Sequence, residues 1–262
     1  MGAIHDLIKV GDQRLSGTVG GDEMKVTRLS GWWGRPPAKR QAVSRELADG
    51  DFPVPWHMDS RYIGIDGIAT ACSHESAHAL MNRMSGLCAA RRETLVVGGH
   101  GTQMSAEVEA DEQAYFHMVT DKTFQFELRF KANDPRKLGF EHSEDIGASP
   151  LSISHRGNYF SWPVMEVDPS GGELPEAGFT VDFQYEDGSL RRWWYEFPVT
   201  TTHRIDFYTG IQRVGTTNQN SIRRADDCVI RPGESVDVSV YPTGQPSSDT
   251  VQGRMWWRDT WI

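Results

Sequence analysis

The chain reads as a mainly β protein with one helix in its first half. Three observations predict this. Phe124, Phe126, Leu128 and Phe130 alternate with Gln125, Glu127 and Arg129, which places one strand face in a core and the other in water. Ala77, Leu80, Met81, Met84, Leu87 and Cys88 recur at threes and fours, the period of a helix with one apolar face. The 26 Gly and 13 Pro among 262 residues, with 9 Trp and many Thr and Val, favour short strands joined by turns.

In chain order, residues 4–10 and 25–33 suit strands, the first broken by Gly11-Asp12. Gly34-Arg35-Pro36-Pro37 is a stiff turn into a polar stretch, and Ala48-Asp49-Gly50-Asp51 has turn chemistry because Asp-Gly tolerates positive φ. Residues 61–69, with Gly64 and Gly67, have the composition of a strand around a turn. Ser73 is the expected N-cap of a helix over about residues 73–88, and Glu75 puts negative charge at the favourable end of its dipole. A strand over 93–97 leads into the loop Gly98-Gly99-His100-Gly101, and residues 106–108 and 123–130 continue the β pattern. Asn133-Asp134-Pro135-Arg136 closes the last of them, since proline cannot donate to a ladder.

The second half reads as all-β, with strands over 163–167, 179–185, 190–197, 204–208 and 235–241. Asp187-Gly188 is a hairpin signal and Arg231-Pro232-Gly233 another turn, a spacing that suggests an antiparallel sandwich. Residues 255–262 (Met-Trp-Trp-Arg-Asp-Thr-Trp-Ile) are too apolar for a free tail and are expected to dock on the first domain or a neighbouring subunit. Trp256, Trp257, Trp261, Trp193 and Trp194 are the interface candidates; of Trp193-Trp194-Tyr195, the exposed ring is the anchor.

Charge divides the chain. Residues 1–140 hold 17 Lys and Arg against 18 Asp and Glu, a net of −1; residues 141–262 hold 10 against 18, a net of −8, and all ten cations there are Arg. The shift predicts two domains meeting near 140–150, taken as 1–145 and 146–254 with 255–262 as a separate tail. It argues against a basic nucleic-acid surface on the second half, and no sequence-specific nucleic-acid binding is expected. The cluster Arg35, Lys39, Arg40 and Arg45 around Pro36-Pro37 reads as a solvated loop. Cys72, Cys88 and Cys228 lack the spacing of a disulfide framework or a Cys-rich zinc site. No signal peptide and no apolar run of spanning length is recognised, so a soluble protein without membrane insertion is expected.

His74-Glu75-Ser76-Ala77-His78 matches the zinc-peptidase pattern His-Glu-x-x-His, which sets two imidazoles one helical turn apart with Glu as general base. Against it, His74 and His78 stand at the edge of the apolar face. No third ligand is singled out downstream, where Glu107, Glu109, Asp111 and Glu112 are merely acidic residues near a strand. A capped amphipathic helix is the expectation, with no cofactor or metal and no catalytic residues; a His74/His78 zinc peptidase is the alternative. Gly98-Gly99-His100-Gly101 lacks the Lys-Ser/Thr of a phosphate loop. His155-Arg156-Gly157-Asn158 near Trp162 has groups that suit a sugar, although a turn with a packed Trp is preferred; a carbohydrate-binding module is the third reading.

The order of Asp49-Gly50, Arg61-Tyr62-Ile63-Gly64-Ile65-Asp66-Gly67, the helix around Met81-Asn82-Arg83-Met84-Ser85-Gly86-Leu87, Thr94-Leu95-Val96-Val97, and Phe124-Gln125-Phe126-Glu127-Leu128 followed by Asp134-Pro135-Arg136-Lys137-Leu138-Gly139 resembles the distal tail (Dit) proteins of long-tailed, siphovirus-type bacteriophages. It resembles especially the minor tail proteins of phages of actinobacteria. The resemblance covers residues 25–139. It continues more weakly through Gly157-Asn158, Pro163-Val164-Met165-Glu166-Val167, Arg213-Val214 and Ile230-Arg231-Pro232-Gly233. The resemblance implies a β-rich α+β N-terminal domain that closes a homohexameric ring, and a galectin-like antiparallel β-sandwich that projects from it. It also implies a structural, non-enzymatic virion protein of the tail tip or baseplate, made in the host cytoplasm and serving host attachment. The implied partners are further copies of the chain, the tail tube protein, tail-tip proteins and the tape measure protein. His155 and Asn158 do not reproduce the galectin sugar-binding pattern.

Overall fold

A computed structural model describes residues 7–39, 57–99, 102–169, 178–219, 221–246 and 251–262. The turn at 48–51, Arg40, Arg45, His100, Gly101 and the start of the first expected strand lie outside the described residues. The chain divides into two compact units, Met1–Lys137 with Ile262, and Leu138–Trp261. The division falls earlier than the 140–150 expected from charge, because a strand, Lys137–Ile146, occupies the stretch read as a boundary.

The first unit holds β1 (Leu7–Val10), β2 (Gln13–Arg14), β3 (Gly17–Val19), β4 (Asp22–Ser30), β5 (Ala38–Lys39), β6 (His57–Met58), β7 (Arg61–Thr70), α1 (His74–Ser85), β8 (Glu93–Gly99), β9 (Thr102–Ala110), β10 (Tyr115–Met118) and β11 (Thr123–Ala132). Strands β3, β4, β7 and β11 form an antiparallel run, with β10 also on β11, and β9, β8, β1 and β2 form another that meets β11 through β9. Phe124, Phe126, Leu128 and Phe130 are buried as their alternation requires, and they share a core with Ile8, Val10, Leu95, Val97 and the helix residues Ala77, Leu80 and Met84.

Residues 61–69 contain no turn. They lie in a continuous ten-residue strand paired along its length with β11. Gly67 stands opposite Phe126, and a Cβ there would lie 2.3 Å from the Phe126 ring and 2.7 Å from the Lys25 carbonyl. The glycine is a packing requirement, not a bend. Gly98 and Gly99 likewise belong to β8, paired with Gln103 and Thr102 of β9.

The helix starts where the sequence places it. Ser73 Oγ accepts from Ser76 N at 3.1 Å, and Ser76 Oγ accepts from Ser73 N at 2.9 Å, a reciprocal box closed by serine where Glu or Gln is usual. It ends three residues before the expected limit of 88: Gly86 caps it and Cys88 turns to φ +58°, still buried against the core. Ser73→Ala removes an acceptor and is expected to cost about 1 kcal/mol. Urea denaturation of the two proteins measures it, and an unchanged midpoint would show that water serves the cap equally well.

The second unit holds β12 (Lys137–Ile146, from Leu138 onward), β13 (Leu151–Ile153), β14 (Val164–Pro169), β15 (Phe179–Tyr185), β16 (Leu190–Tyr195), β17 (His203–Asp206), β18 (Ile211–Val214), β19 (Thr217–Asn218), β20 (Ile222–Ala225), β21 (Val236–Pro242) and β22 (Val251–Trp261). One layer runs β19-β18-β17-β14-β22-β12 and the other β13-β21-β15-β16-β20. Between them lies one core, with Met165, Val167, Met255 and Trp257 from the first layer and Phe179, Val181, Phe183, Trp193 and Val238 from the second. The Asp187-Gly188 hairpin forms as read: Gly188 has φ +80° and Asp187 Oδ1 accepts from Ser189 N at 2.8 Å. Residues 255–262 are not a tail laid on a surface. Through Trp261 they continue β22, which pairs with β14 in the register Met165↔Met255 and Val164↔Trp256. Alternating burial along 251–257, with Val251, Gly253, Met255 and Trp257 inside, makes the segment a central strand of its own sandwich.

Candidate interaction surfaces

On the helix, His74 and His78 stand edge to face with ring centroids 4.5 Å apart, and both are exposed. His74 Nδ1 lies 2.8 Å from the Asp121 carbonyl, so that nitrogen is already engaged with backbone. Glu107 and Glu109 pair with Arg92, at 3.9 and 3.3 Å. Among the described residues, His, Cys, Asp and Glu nowhere gather in groups of three or more that could hold a metal ion. The helix instead presents its apolar side to the core through Ala77, Leu80 and Met84.

The tryptophan candidates separate by strand parity. Trp193 is a core residue, 1% exposed, whose Nε1 donates to Gln212 Oε1 at 2.8 Å; Gln212 in turn meets His203 Nδ1 at 2.8 Å. Trp257 is also inside, stacked on His142 at 5.3 Å and donating to the Ser154 carbonyl at 3.0 Å. Neither ring is open to a partner, contrary to the expectation for Trp193 and Trp257, because both are packed in their own core. Trp194, Trp256 and Trp261 are half-buried. The Arg223 guanidinium covers Trp194 at 4.6 Å, and Arg204 lies 5.9 Å from the Trp256 ring centre. Trp261 lies over Gly139, where a Cβ would meet its ring at 2.2 Å.

The stretch proposed for a sugar is partly closed. His155 is buried, its Nδ1 accepts from Gly157 N at 3.0 Å, and burial pushes its pKa down despite the opposing charge of Asp259. Trp162 donates to Asp227 at 3.0 Å and joins a patch of rings with Tyr159, Phe160 and Tyr208, the last two exposed. The local motif is therefore a turn fixed by packing, next to an aromatic patch that the sequence spreads over fifty residues.

A cluster the sequence did not signal lies in the first unit. Arg61 is buried, with Nη1 donating to the carbonyls of Gly31 (2.7 Å), Trp32 (3.1 Å) and Gly34 (2.7 Å), and Nε donating to Pro135 (3.0 Å). Lys137 is also buried and donates to the Trp32 carbonyl at 3.0 Å. Burial first, and the charge of Arg61 second, hold Lys137 at about 8. Burial likewise lowers Arg61 to about 10. Two buried cations thus clamp the Gly31–Gly34 turn, where Gly31 has φ +74° and no room for a Cβ beside the Tyr62 carbonyl.

Among solved structures, the Dit protein (gp 19.1) of phage SPP1, described as a paradigm of the hub adsorption apparatus of phages infecting Gram-positive bacteria, matches 98% of this chain and 99% of its own, with TM-score 0.67 and 12% identity. The fold is a Dit fold. Two structures of the phage P2 baseplate in its activated conformation, with Ca and with Sr, match at TM-scores 0.49 and 0.48, each at 12% identity, over 93% and 95% of this chain and 93% and 97% of theirs. No protein-family model matches the sequence, and no curated protein does. Coverage of both chains almost end to end means that the Dit fold accounts for the helix-bearing unit and the sandwich alike. Among the described residues, no helix is long and apolar enough to cross a membrane.

Proposed function

We propose that this chain is a structural virion protein, a distal tail hub that joins a phage tail tube to the tail-tip or baseplate proteins used in host attachment. The observation that carries the reading is the likeness to SPP1 Dit over 98% of the chain, at TM-score 0.67. In this reading residues 1–137 form a homohexameric ring and residues 138–261 are a galectin-like sandwich. The neighbours are the tube protein, tail-tip proteins and the tape measure protein of a siphovirus of an actinobacterial host. The chain performs no chemistry. Its cation–carboxylate pairs serve structure, as with Arg192, which holds Asp182 by paired contacts of 2.6 and 2.8 Å.

Exposed strand edges suit such a role. Among the described residues β3 pairs with β4 alone, and all three of its residues are exposed, so its outer edge offers backbone groups to another chain. Electron microscopy of virions labelled with an antibody to this chain tests the proposal, together with mass measurement of the purified protein over a range of concentrations. Label at the tail tip, and rings of six copies in the tail map, are expected. Label confined to the capsid, or a tip map with no density for this chain, overturns it.

A further inference from the structure

The outer face of the sandwich layer β12-β22-β14-β17 carries a cleft of about 510 Å³ lined by Asp145, Glu166, Asp168, Gln252, Arg254 and Trp256. Register makes these side chains one group. Val164 faces Trp256, Glu166 faces Arg254 and Asp168 faces Gln252 across β14 and β22, while Glu166 faces Arg204 across β14 and β17. Directly opposed residues on adjacent strands point to the same side. That side is the solvent side, because Met165, Val167, Gly253 and Met255, one step out of phase, are buried.

We propose that this cleft binds an uncharged saccharide, with Trp256 as the platform for the sugar's C–H face. A ligand site of ordinary kind combines an aromatic wall with a few oriented polar groups in a cleft of some 300–1,000 Å³, and this one has both. Each carboxylate is already held by one neighbouring side chain. Asp145 takes Arg254 Nε at 2.7 Å and Nη2 at 3.1 Å, Glu166 takes Arg204 Nη1 at 2.5 Å, and Asp168 takes the Thr202 hydroxyl. A carboxylate has about four acceptor sites, so each keeps capacity for sugar hydroxyls while its rotamer is fixed beforehand. Three carboxylates against Arg254 in the lining and Arg204 beside Glu166 leave the cleft with a net negative charge, which disfavours phosphate polymers and uronates. The proposal stands apart from the hub reading: a hub with no affinity for sugar still occupies the tail tip.

Ligand-observed saturation-transfer NMR on the full chain tests it, with millimolar methyl glycosides of glucose, galactose, mannose, rhamnose and N-acetylglucosamine, and with glycerol phosphate as the anionic probe. At least one glycoside is expected to receive saturation at its ring C–H protons, and glycerol phosphate none. Trp256→Ala is expected to abolish the transfer. Glu166→Gln, an exposed-face change that leaves the core untouched, is expected to weaken affinity about tenfold, the equivalent of one charge-assisted hydrogen bond. Transfer to no glycoside, transfer unchanged in Glu166→Gln, or transfer to glycerol phosphate alone overturns the assignment.

Discussion

Arg61→Ala is expected to cost the first unit about 4 kcal/mol or more, a large share of the 5–15 kcal/mol that holds a domain together. The guanidinium serves the carbonyls of Gly31, Trp32, Gly34 and Pro135 at 2.7–3.1 Å. Arg61 is 1% exposed and Trp32 beside it is fully buried, whereas Gly31 and Gly34 are exposed and can turn their carbonyls to water. Truncation therefore leaves a cavity and strips the turn of four hydrogen bonds, while the Trp32 carbonyl keeps Lys137 Nζ. Arg61→Lys retains the charge but loses the planar fork, so it is expected to fall between, at about 2–3 kcal/mol. Urea denaturation read by tryptophan fluorescence measures both variants, with each unit's transition fitted separately. A transition for Arg61→Ala within about 0.5 kcal/mol of the parent would show that the carbonyls find other donors.

Lys137→Met should work in the opposite direction and stabilise the protein at neutral pH. The ammonium is buried at 3% exposure, its pKa is about 8 against an ordinary 10.5, and its neighbour Arg61 repels it. A depression of that size corresponds to about 3 kcal/mol of folding free energy lost while the group must stay protonated. The Trp32 carbonyl keeps a donor in Arg61 Nη1 after the substitution, so little is forfeited there. Loss of the contacts to the Trp32 and Trp33 rings, at 5.9 and 5.7 Å, trims the gain to about 1–2 kcal/mol. The pH dependence follows from the depressed value. Between about pH 8 and 10.5 the unfolded chain holds a proton that the folded chain has released, so the parent gains stability as pH rises through this window. The advantage of Lys137→Met is widest below pH 8 and shrinks above it. Paired melts at pH 7 and 9.5 read the difference and cancel the thiols, whose burial-raised pKa values act the other way. A gap that is constant or grows with pH would place the proton elsewhere.

Much of the fold was legible in short-range pattern. The alternation of Phe124, Phe126, Leu128 and Phe130, the Ser73 cap and the Asp187-Gly188 turn each depend on neighbours within a few residues, and each formed as read. Glycine misled in two places: Gly64 and Gly67 are consistent with a turn locally, yet Gly67 exists to admit the Phe126 ring from another strand. The shift in charge near 140–150 hides a strand, Lys137–Ile146, whose carboxylates pair across to β22, as Asp145 does with Arg254 and Glu141 with Arg258. Arg61 and Lys137 gave no signal, since nothing local marks a cation destined for burial.

By itself the sequence determined the β class, the helix and its cap, the principal turns and the alternating faces, all consequences of backbone preference and side-chain period. Only the tertiary structure decided which tryptophans are core and which are surface. It also decided that the last eleven-residue strand closes the sandwich, and that Trp256, Glu166 and Arg254 share one outward face. The physical reason is sequence distance: pairing Val164 with Trp256 sets the exposure of both, and register between strands so far apart leaves no trace in the composition of either.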